Sequence, residues 1–321
     1  MATLITIFGF LLAAAENYFI PRMGDGTQTI TLDSSILLTG DGLFRLILFT
    51  LAIFYMGVGI FSRFREERKR VYQKRAAFRF AMGIALGVWD LLGTKLAILP
   101  QPFFPGPAQI LETFLTEGNY ILENTLYSLR LFLAGFSLGV LFGIFTGVMI
   151  GWFPKISYWV LPVLNVCGVI PAVAWMPFAL TLFPTSFGAA TFLIVVCVWF
   201  PVASMTALGI ANTPKTQLEV AKTLGGKTPY LLFRVAIPHA MPQVFTGITT
   251  ANAFAFTTLV MAEMMGQPGG LGYYINASKV WSAYYKVFAA IIVMAVLFSI
   301  IMKITGAIEH RVLRWQKGTV K

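Results

Sequence analysis

The sequence predicts an all-α polytopic membrane protein, and three observations carry that reading. Of 321 residues, 57% are hydrophobic and only 12% charged, whereas soluble domains carry about 25% charged residues. Mostly apolar runs of the ~20 residues needed to cross about 30 Å of hydrocarbon recur along the chain. The excess of cations, 24 Lys+Arg against 13 Asp+Glu, collects in connections that fall on one side of the bilayer. A soluble globule, an acidic disordered chain and a disulfide scaffold are excluded. The two cysteines, Cys167 and Cys197, each lie inside an apolar run, where they read as small core residues.

The first run, 2–20, is apolar to Ala15 and then meets Glu16. It reads as a retained span. Ala13-Ala14-Ala15 also resembles a signal-peptide cleavage site, but the basic leading region is missing. A second span is predicted near 43–62. The next, 76–97, holds Asp90 and Lys95. One buried charge costs about 2.5–3.5 kcal/mol, while each Leu, Ile or Phe returns about 0.3–0.6. This run therefore inserts only with both charges near one interface, the outer one. Five further spans are predicted near 125–150, 157–183, 187–210, 243–265 and 285–307.

Within 125–150, glycines recur every fourth residue: Gly135, Gly139, Gly143, Gly147 and, just beyond, Gly151. Such a ridge lets another backbone approach closely in lipid, where apolar burial cannot drive association. The run 157–183 carries Pro162, Pro171 and Pro177. Each removes a backbone donor, so this helix is expected to be kinked or broken.

Positive charge orients the spans. Arg63, Arg65, Arg68, Lys69, Arg70, Lys74, Arg75 and Arg79 face only Glu66 and Glu67 in 62–79; Lys215, Lys222, Lys227 and Arg234 lie in 211–240; Arg311, Arg314, Lys317 and Lys321 end the chain. All three segments share one side when spans alternate, so both termini are expected in the cytoplasm. Asp25, Asp33, Asp41, Glu112, Glu117 and Glu123 mark the outer side. The basic surplus is a topology signal for the lipid bilayer, and no nucleic-acid partner is indicated.

The segment 211–240 is too polar to cross the bilayer and too apolar for a slack tether. Thr213 can cap a helix with Pro214 at its first position, and Gly225-Gly226 ends it. Thr228-Pro229 repeats the start signal, and Pro238 is expected to stop the second helix. Lys215, Glu219 and Lys222 share one face; Leu218, Ala221 and Leu224 share another. The pattern is an amphipathic helical hairpin, to be received by a partner's groove or to lie on the headgroups. Ala221 to Thr228 nearly matches a nucleotide P-loop, but a helix precedes it, Pro229 follows it, and no aspartate occurs after Asp90 to hold magnesium. No cofactor is expected in this chain; if ATP drives it, another chain binds the nucleotide and magnesium.

Polar residues inside spans are candidates for a translocation path: Arg130, Asn165, Asn252, Thr257, Thr258 and Glu263. Arg130 can attract an anion, pair with a carboxylate or snorkel to the interface, and Glu263, at a span's outer end, can serve as a cap. Trp175, Trp199 and Trp281 read as interface anchors. His239 and His310 both lie on the cytoplasmic side, so neither a proton relay, nor a metal set, nor a catalytic cluster is visible.

The stretch EVAKTLGGKTPYLLFRVAIP resembles the EAA signature of permease subunits in binding-protein-dependent ABC importers: E-A-A, three residues, G, nine residues, I-x-L-P. Glu219 and Ala221 match, Val220 replaces the first alanine, Gly225 is the signature glycine, and Val235, Ile237 and Pro238 fill the closing positions. From about 85 to 316 the chain is similar to the nitrate/sulfonate/taurine/bicarbonate group. Trp89-Asp90, Leu99-Pro100-Gln101-Pro102, Ser128-Leu129-Arg130 with Gly135, and Ala262-Glu263-Met264-Met265-Gly266 with Gly270-Leu271-Gly272 carry the likeness; Pro268 departs from it.

The resemblance implies a type I ABC importer permease fold at 76–316, preceded by an extension over 1–75 with one or two extra spans and followed by a tail at 317–321. It implies that 211–240 is the coupling loop, with Glu219, Ala221, Gly225 and Pro238 at the ATPase contact. The implied partners are two cytoplasmic ABC ATPase subunits, a second permease copy and an extracytoplasmic solute-binding protein, which Glu112, Glu117 and 266–282 would meet, in a prokaryotic plasma membrane. The implied solute is nitrate, a sulfonate such as taurine, or bicarbonate; alternatives are an organic solute such as a pyrimidine vitamin precursor, or an ATP-independent channel or secondary transporter.

Overall fold

A computed structural model describes residues 2–21, 30–33, 36–62, 64 and 66–315. Asp25, Arg63, Arg65, Lys317, Lys321 and the predicted tail 317–321 lie outside the described residues. Among the described residues the fold is helical apart from one short antiparallel hairpin, β1 (Ile30–Asp33) with β2 (Ile36–Leu38). Among the described residues, seven helices are long and apolar enough to span a bilayer, or eight if one sharply bent pair is counted as a single span. The chain divides into two compact units, Met1–Ile121 with Ala277–Ile292, and Leu122–Asn276 with Val293–Lys321.

The first unit contains α1 (Ala2–Phe19), α2 (Gly40–Ser62), the short α3 (Glu66–Lys74), α4 (Ala76–Asp90) and α5 (Pro107–Thr116). Helices α1 and α4 run parallel in near backbone contact. A Cβ on Gly9 would sit 2.7 Å from the Phe80 carbonyl, and one on Gly83 would sit 2.7 Å from the Gly9 carbonyl carbon. Phe10, Ala13, Ala14, Phe44, Leu48 and Ala52 fill the space between α1 and α2. Arg79 anchors the basic connection from inside: its guanidinium lies 4.1 Å from the Tyr72 ring and donates to the Tyr72 carbonyl at 3.1 Å. Arg70, Lys74 and Arg75 stay exposed.

After Asp90 the helix widens into a π turn, Leu91–Lys95. Asp90 and Lys95 are both buried, and α1 and α2 supply their partners. The Asn17 amide donates to Asp90 Oδ2 at 2.7 Å, Arg45 Nε donates to Asn17 Oδ1 at 3.2 Å, and Lys95 Nζ lies 3.4 Å from Asp41 Oδ1. A buried ion stripped of its partner costs about 3–5 kcal/mol, and α1 and α2 avert that here.

The second unit contains α6 (Gly118–Trp152, from Leu122 onward), α7 (Pro154–Val169), α8 (Met176–Leu182), α9 (Ser186–Ala211), α10 (Lys215–Thr223), α11 (Thr228–Tyr230), α12 (Ile237–Met264), most of α13 (Leu271–Val280) and the later part of α14 (Tyr284–Val312). The glycine ridge of α6 lies along α9. Added Cβ atoms would meet Cβ of Ile194, Val198 and Val202 at 2.6, 2.6 and 2.7 Å from Gly135, Gly139 and Gly143, and Cβ of Thr206 and Ile210 at 2.6 and 2.7 Å from Gly147 and Gly151. Helix α12 packs on α9 by the same device: a Cβ on Gly247 would lie 3.0 Å from the Pro201 carbonyl. Leu193, Ile194, Val198, Val202, Ala251, Ala255 and Leu259 form the core between them.

Of the three prolines in 157–183 only Pro171 sits at a break. Pro162 is carried inside α7, and Pro177 occupies the first turn of α8, where no donor is needed. Around Pro171 the chain turns through 103°. Trp199 departs from its expected interface role. It lies well inside α9 and its indole donates to Thr146 on α6 at 2.8 Å, so it ties two helices together.

Overpacking a tight helix contact costs about 1–3 kcal/mol. Gly143→Leu is therefore expected to lower the melting temperature of the purified chain in detergent, whereas Gly306→Leu, where a Cβ meets nothing within 4 Å, leaves it nearly unchanged. Equal melting of the two variants contradicts the ridge assignment.

Candidate functional site

The hairpin at 211–240 leaves the body of the chain. No residue of α10 is buried, and Val220 and Leu224 are 59% and 83% exposed, an apolar tip that its own chain does not cover. Lys215, Glu219 and Lys222 are exposed, while Leu218 and Ala221 are half-buried. The expected cap is not made. Helix α10 starts after Pro214, and the Thr213 hydroxyl donates backward to the Ile210 carbonyl at 2.8 Å, so the hydroxyl closes α9 instead of opening α10.

The end of α10 explains its glycine pair. Gly225 N–H reaches the Lys222 carbonyl and Gly226 N–H the Ala221 carbonyl, both at 2.9 Å, the paired bonds of a Schellman termination. That motif requires a left-handed residue, and Gly225 has φ +86°. A Cβ at Gly225 would touch nothing, so the constraint there is backbone strain and not space.

Pro238 does not stop the second helix, contrary to expectation. Thr228–Met264 is one continuous helical segment of 37 residues. A π turn, Leu231–Ala236, precedes the proline, and Ile237 N–H bonds to the Leu232 carbonyl, five residues back. Shifting the bonding pattern there lets a residue without an N–H enter the helix without breaking it. The hairpin's second arm is thereby the first stretch of a span.

Along α12, Thr246, Thr250, Ala253, Thr257 and Met261 fall on one stripe that the chain leaves exposed. The threonine hydroxyls donate to carbonyls four residues back, at 3.0, 2.9 and 3.1 Å for Thr246, Thr250 and Thr257, which keeps them tolerable at membrane depth. Thr246 and Thr250 were missed as candidates because threonine is ordinary in such runs; their spacing of four with Thr250 and seven to Thr257 was the available signal. The other face of α12 is closed. Asn252 is fully buried and its amide donates to Thr305 of α14 at 3.1 Å, while Thr258 donates to the Cys197 sulfur at 3.1 Å. Asn165 lies exposed on α7. Arg130 is exposed, with its guanidinium 5.5 Å from the Phe187 ring centroid.

Glu263 closes the far end of α12. Its Oε2 accepts the Gly272 N–H at 2.8 Å, Ser128 Oγ accepts the Leu271 N–H at 2.8 Å, and Asn124 Oδ1 accepts the Gly270 N–H at 2.9 Å. Three side chains from outside the helix thus cap three successive amides at the start of α13, where a carboxylate is also favoured by the helix dipole. Gly270, at φ +109°, has no room for a Cβ, which would fall 2.4 Å from the Glu263 carboxyl carbon. Tyr127 donates to Gln267, which donates in turn to the Ser186 carbonyl. Ser128 and Glu263, from the two stretches that carry the likeness, therefore build one clamp with Asn124 on Gly270, Leu271 and Gly272. In the first unit, Glu112 accepts the Gly40 N–H at 3.2 Å and Glu117 pairs with Lys286. Among the described residues, no three His, Cys, Asp or Glu side chains gather to hold a metal ion.

Comparison with known proteins agrees with this architecture. The sequence profile of the family described as "binding-protein-dependent transport system inner membrane component" matches residues 139–314. The taurine transport system permease protein of Escherichia coli K12 is 27% identical over 73% of this chain and 87% of its own length. The nitrate import permease protein of Synechococcus elongatus is 31% identical over 63% of this chain and 74% of its own. Among solved structures, a chain of the MetNI methionine ABC transporter in an inward-facing conformation superposes with a TM-score of 0.51 at 20% identity, covering 60% of this chain and 96% of that one, which shows a shared fold.

Leaving a buried amide without its acceptor costs about 1–3 kcal/mol. Glu263→Ala is expected to speed hydrogen exchange at the amides of 270–272, and Glu263→Gln, which keeps an acceptor, is expected to speed it less. Unchanged protection in Glu263→Ala contradicts the clamp.

Proposed function

This chain belongs to the family of binding-protein-dependent transport inner membrane components, and from that premise we propose that its exposed hairpin is the contact through which a separate ATPase subunit drives the spans. The chain is a multi-span permease subunit of an ABC importer. The observation that carries the coupling assignment is geometric: a hairpin with no buried residue in α10 runs without a break into α12. An amphipathic helix presented in this way suits a partner's groove, and the family supplies a partner that would have one.

In this reading Glu219 and Ala221 shape the surface of α10, Gly225 sets the turn, and Pro238 marks where the arm becomes a span. ATP and magnesium belong to the ATPase subunits. A pair of ATPase subunits needs two hairpins, and each chain has one, so two permease chains are required, most simply as a symmetric dimer. The ATPases place the hairpin and both termini in the cytoplasm, and a solute-binding protein then meets the opposite face. The stripe Thr246, Thr250 and Thr257 on α12 is the candidate lining of the path, with Arg130 and Asn165 as further candidates; Asn252, buried on the closed face against Thr305, is a packing residue in this reading, and Glu263 holds the outer end of α12. The extension α1–α2 holds Asp90 and Lys95 of the first core span. The relatives act on taurine and nitrate by name, and a small solute of that kind is the first substrate class to assay.

Two substitutions test the coupling assignment. Glu219→Ala is expected to reduce retention of the ATPase on the solubilised permease and to abolish ATP-dependent uptake, with membrane insertion unchanged. Gly225→Val is expected to do the same through backbone strain of about 1–2 kcal/mol, with Gly225→Asn milder. Normal uptake in Glu219→Ala and Gly225→Val together contradicts the assignment.

A further inference from the structure

The polar cluster at the end of the first core span contains more acceptors than its own side chains satisfy. It is built within the first unit from Glu16 and Asn17 of α1, Asp41 and Arg45 of α2, and Asp90, Thr94 and Lys95 at the end of α4 and its π turn. Glu16 is turned toward α4: a Cβ on Gly87 would lie 3.8 Å from Glu16 Oε2. Asp90 follows Gly87 by three residues and shares that face of the helix. The close parallel packing of α1 on α4 therefore brings the Glu16 and Asp90 carboxyls to one place. Glu112 of α5 borders the cluster where it accepts the Gly40 N–H.

Three carboxylates, Glu16, Asp41 and Asp90, share this space with two cations, Arg45 and Lys95. Both cations are engaged elsewhere. Lys95 lies beside Asp41, and Arg45 donates to Asn17 while its guanidinium stands 4.9 Å from the Tyr18 ring centroid. Asp90 is 0% exposed and has the Asn17 amide on Oδ2, but its Oδ1 has no partner, and neither oxygen of Glu16 has one. The Thr94 hydroxyl, 2% exposed, lies beside the Asp90 carboxylate in a geometry that completes no hydrogen bond. The unpartnered carboxylate oxygens are all acceptors, and a buried acceptor without a donor carries its full desolvation cost. What the cluster lacks is one unit of positive charge between Glu16 and Asp90. A divalent ion would overshoot that charge, and among the described residues no three carboxylates gather to hold one.

We propose that this cluster binds a single monovalent cation, a proton or a sodium ion, between Glu16 and Asp90, and that the bound charge fastens α1 of the extension to the first core span. A proton sits on one carboxyl and is donated to the other. A sodium ion takes the same carboxylate oxygens together with Thr94 Oγ1, the all-oxygen set that hard cations prefer. In either form the occupant brings the summed charge of the five ionisable side chains to zero. Without it, two like charges face each other in the α1–α4 contact and weaken it. The site exists only in the folded chain, so occupancy is linked to stability. A proton stabilises the fold at acidic pH, and that stabilisation is lost as the pH rises and the proton leaves. A sodium ion stabilises it increasingly with sodium concentration.

The test is the melting midpoint of the purified full chain in detergent at constant ionic strength, in two arms. One arm runs from about pH 6 to about pH 9 without sodium; the other exchanges N-methylglucamine for sodium at fixed pH. Wild type is expected to shift by about 3 °C or more in at least one arm, the first naming a proton and the second a sodium ion. Glu16→Gln and Asp90→Asn each remove the surplus charge and supply an amide donor, and both are expected to lose that shift. Glu123→Gln, at an exposed carboxylate outside the cluster, is expected to keep it. Two amide variants are used so that one failing to fold leaves the other to decide. Wild type responding in neither arm overturns the proposal, and so does a response that the amide variants retain in full. A protonated-carboxyl infrared band in the wild type is a readout independent of any variant; its absence together with a flat sodium arm also overturns the proposal.

Discussion

Backbone hydrogen bonding in a medium without water is the constraint on which the rest of this structure depends. Every span must satisfy its own peptide groups, so the places where helical bonding is interrupted are the places where something else is gained. The π turn at Leu231–Ala236 converts what would be a stop at Pro238 into a rigid passage from hairpin to span. The π turn at Leu91–Lys95 ends the first core span in the polar cluster of Asn17, Arg45, Asp41 and Asp90. The break at Pro171 turns the chain through 103°. Regular helix elsewhere in the second unit, α6 and α9 above all, packs through the glycine ridge of α6 against Ile194, Val198, Val202, Thr206 and Ile210.

The same constraint connects the hairpin to the far end of α12. Between α10 and α12 only the tight turn at Gly225-Gly226 intervenes, and Thr228–Met264 is continuous and packs along α9 through Gly247 and Gly209. At its far end α12 carries Glu263, whose carboxylate is tied to the start of α13 together with Ser128 and Asn124 of α6. Under the proposed coupling, a displacement of the hairpin would move α12 with its exposed threonine stripe, and the clamp at 263–272 would carry it into the loop beyond.

Much of this was legible in the sequence, and what was not has identifiable causes. The spans, the ridge at Gly135–Gly151, the hairpin at 211–240 and a break within 157–183 follow from hydropathy, small-residue spacing and proline positions, because those signals act locally. Pro238 and Thr213 were misread for one reason: start and stop signals assume α-helical bonding, and a π turn or a backward-donating hydroxyl changes the register that they punctuate. The partners of Asp90 and Lys95 lie some 50 to 75 residues away in sequence, at Asn17 and Asp41, and no local pattern could name them. Glu263 was legible as a cap, but the two other caps of α13 come from Asn124 and Ser128, brought near only by the packing of α6.

The central claim is that α10 is handed to a partner and not kept by the chain or by the headgroups. The most direct measurement places a photo-activated cross-linker at Val220, exposed at the tip, in the intact transporter in a native membrane. The account predicts a product containing the ATPase subunit, in the presence and absence of nucleotide. A product containing only lipid, this chain's own spans or an extracytoplasmic protein would contradict it.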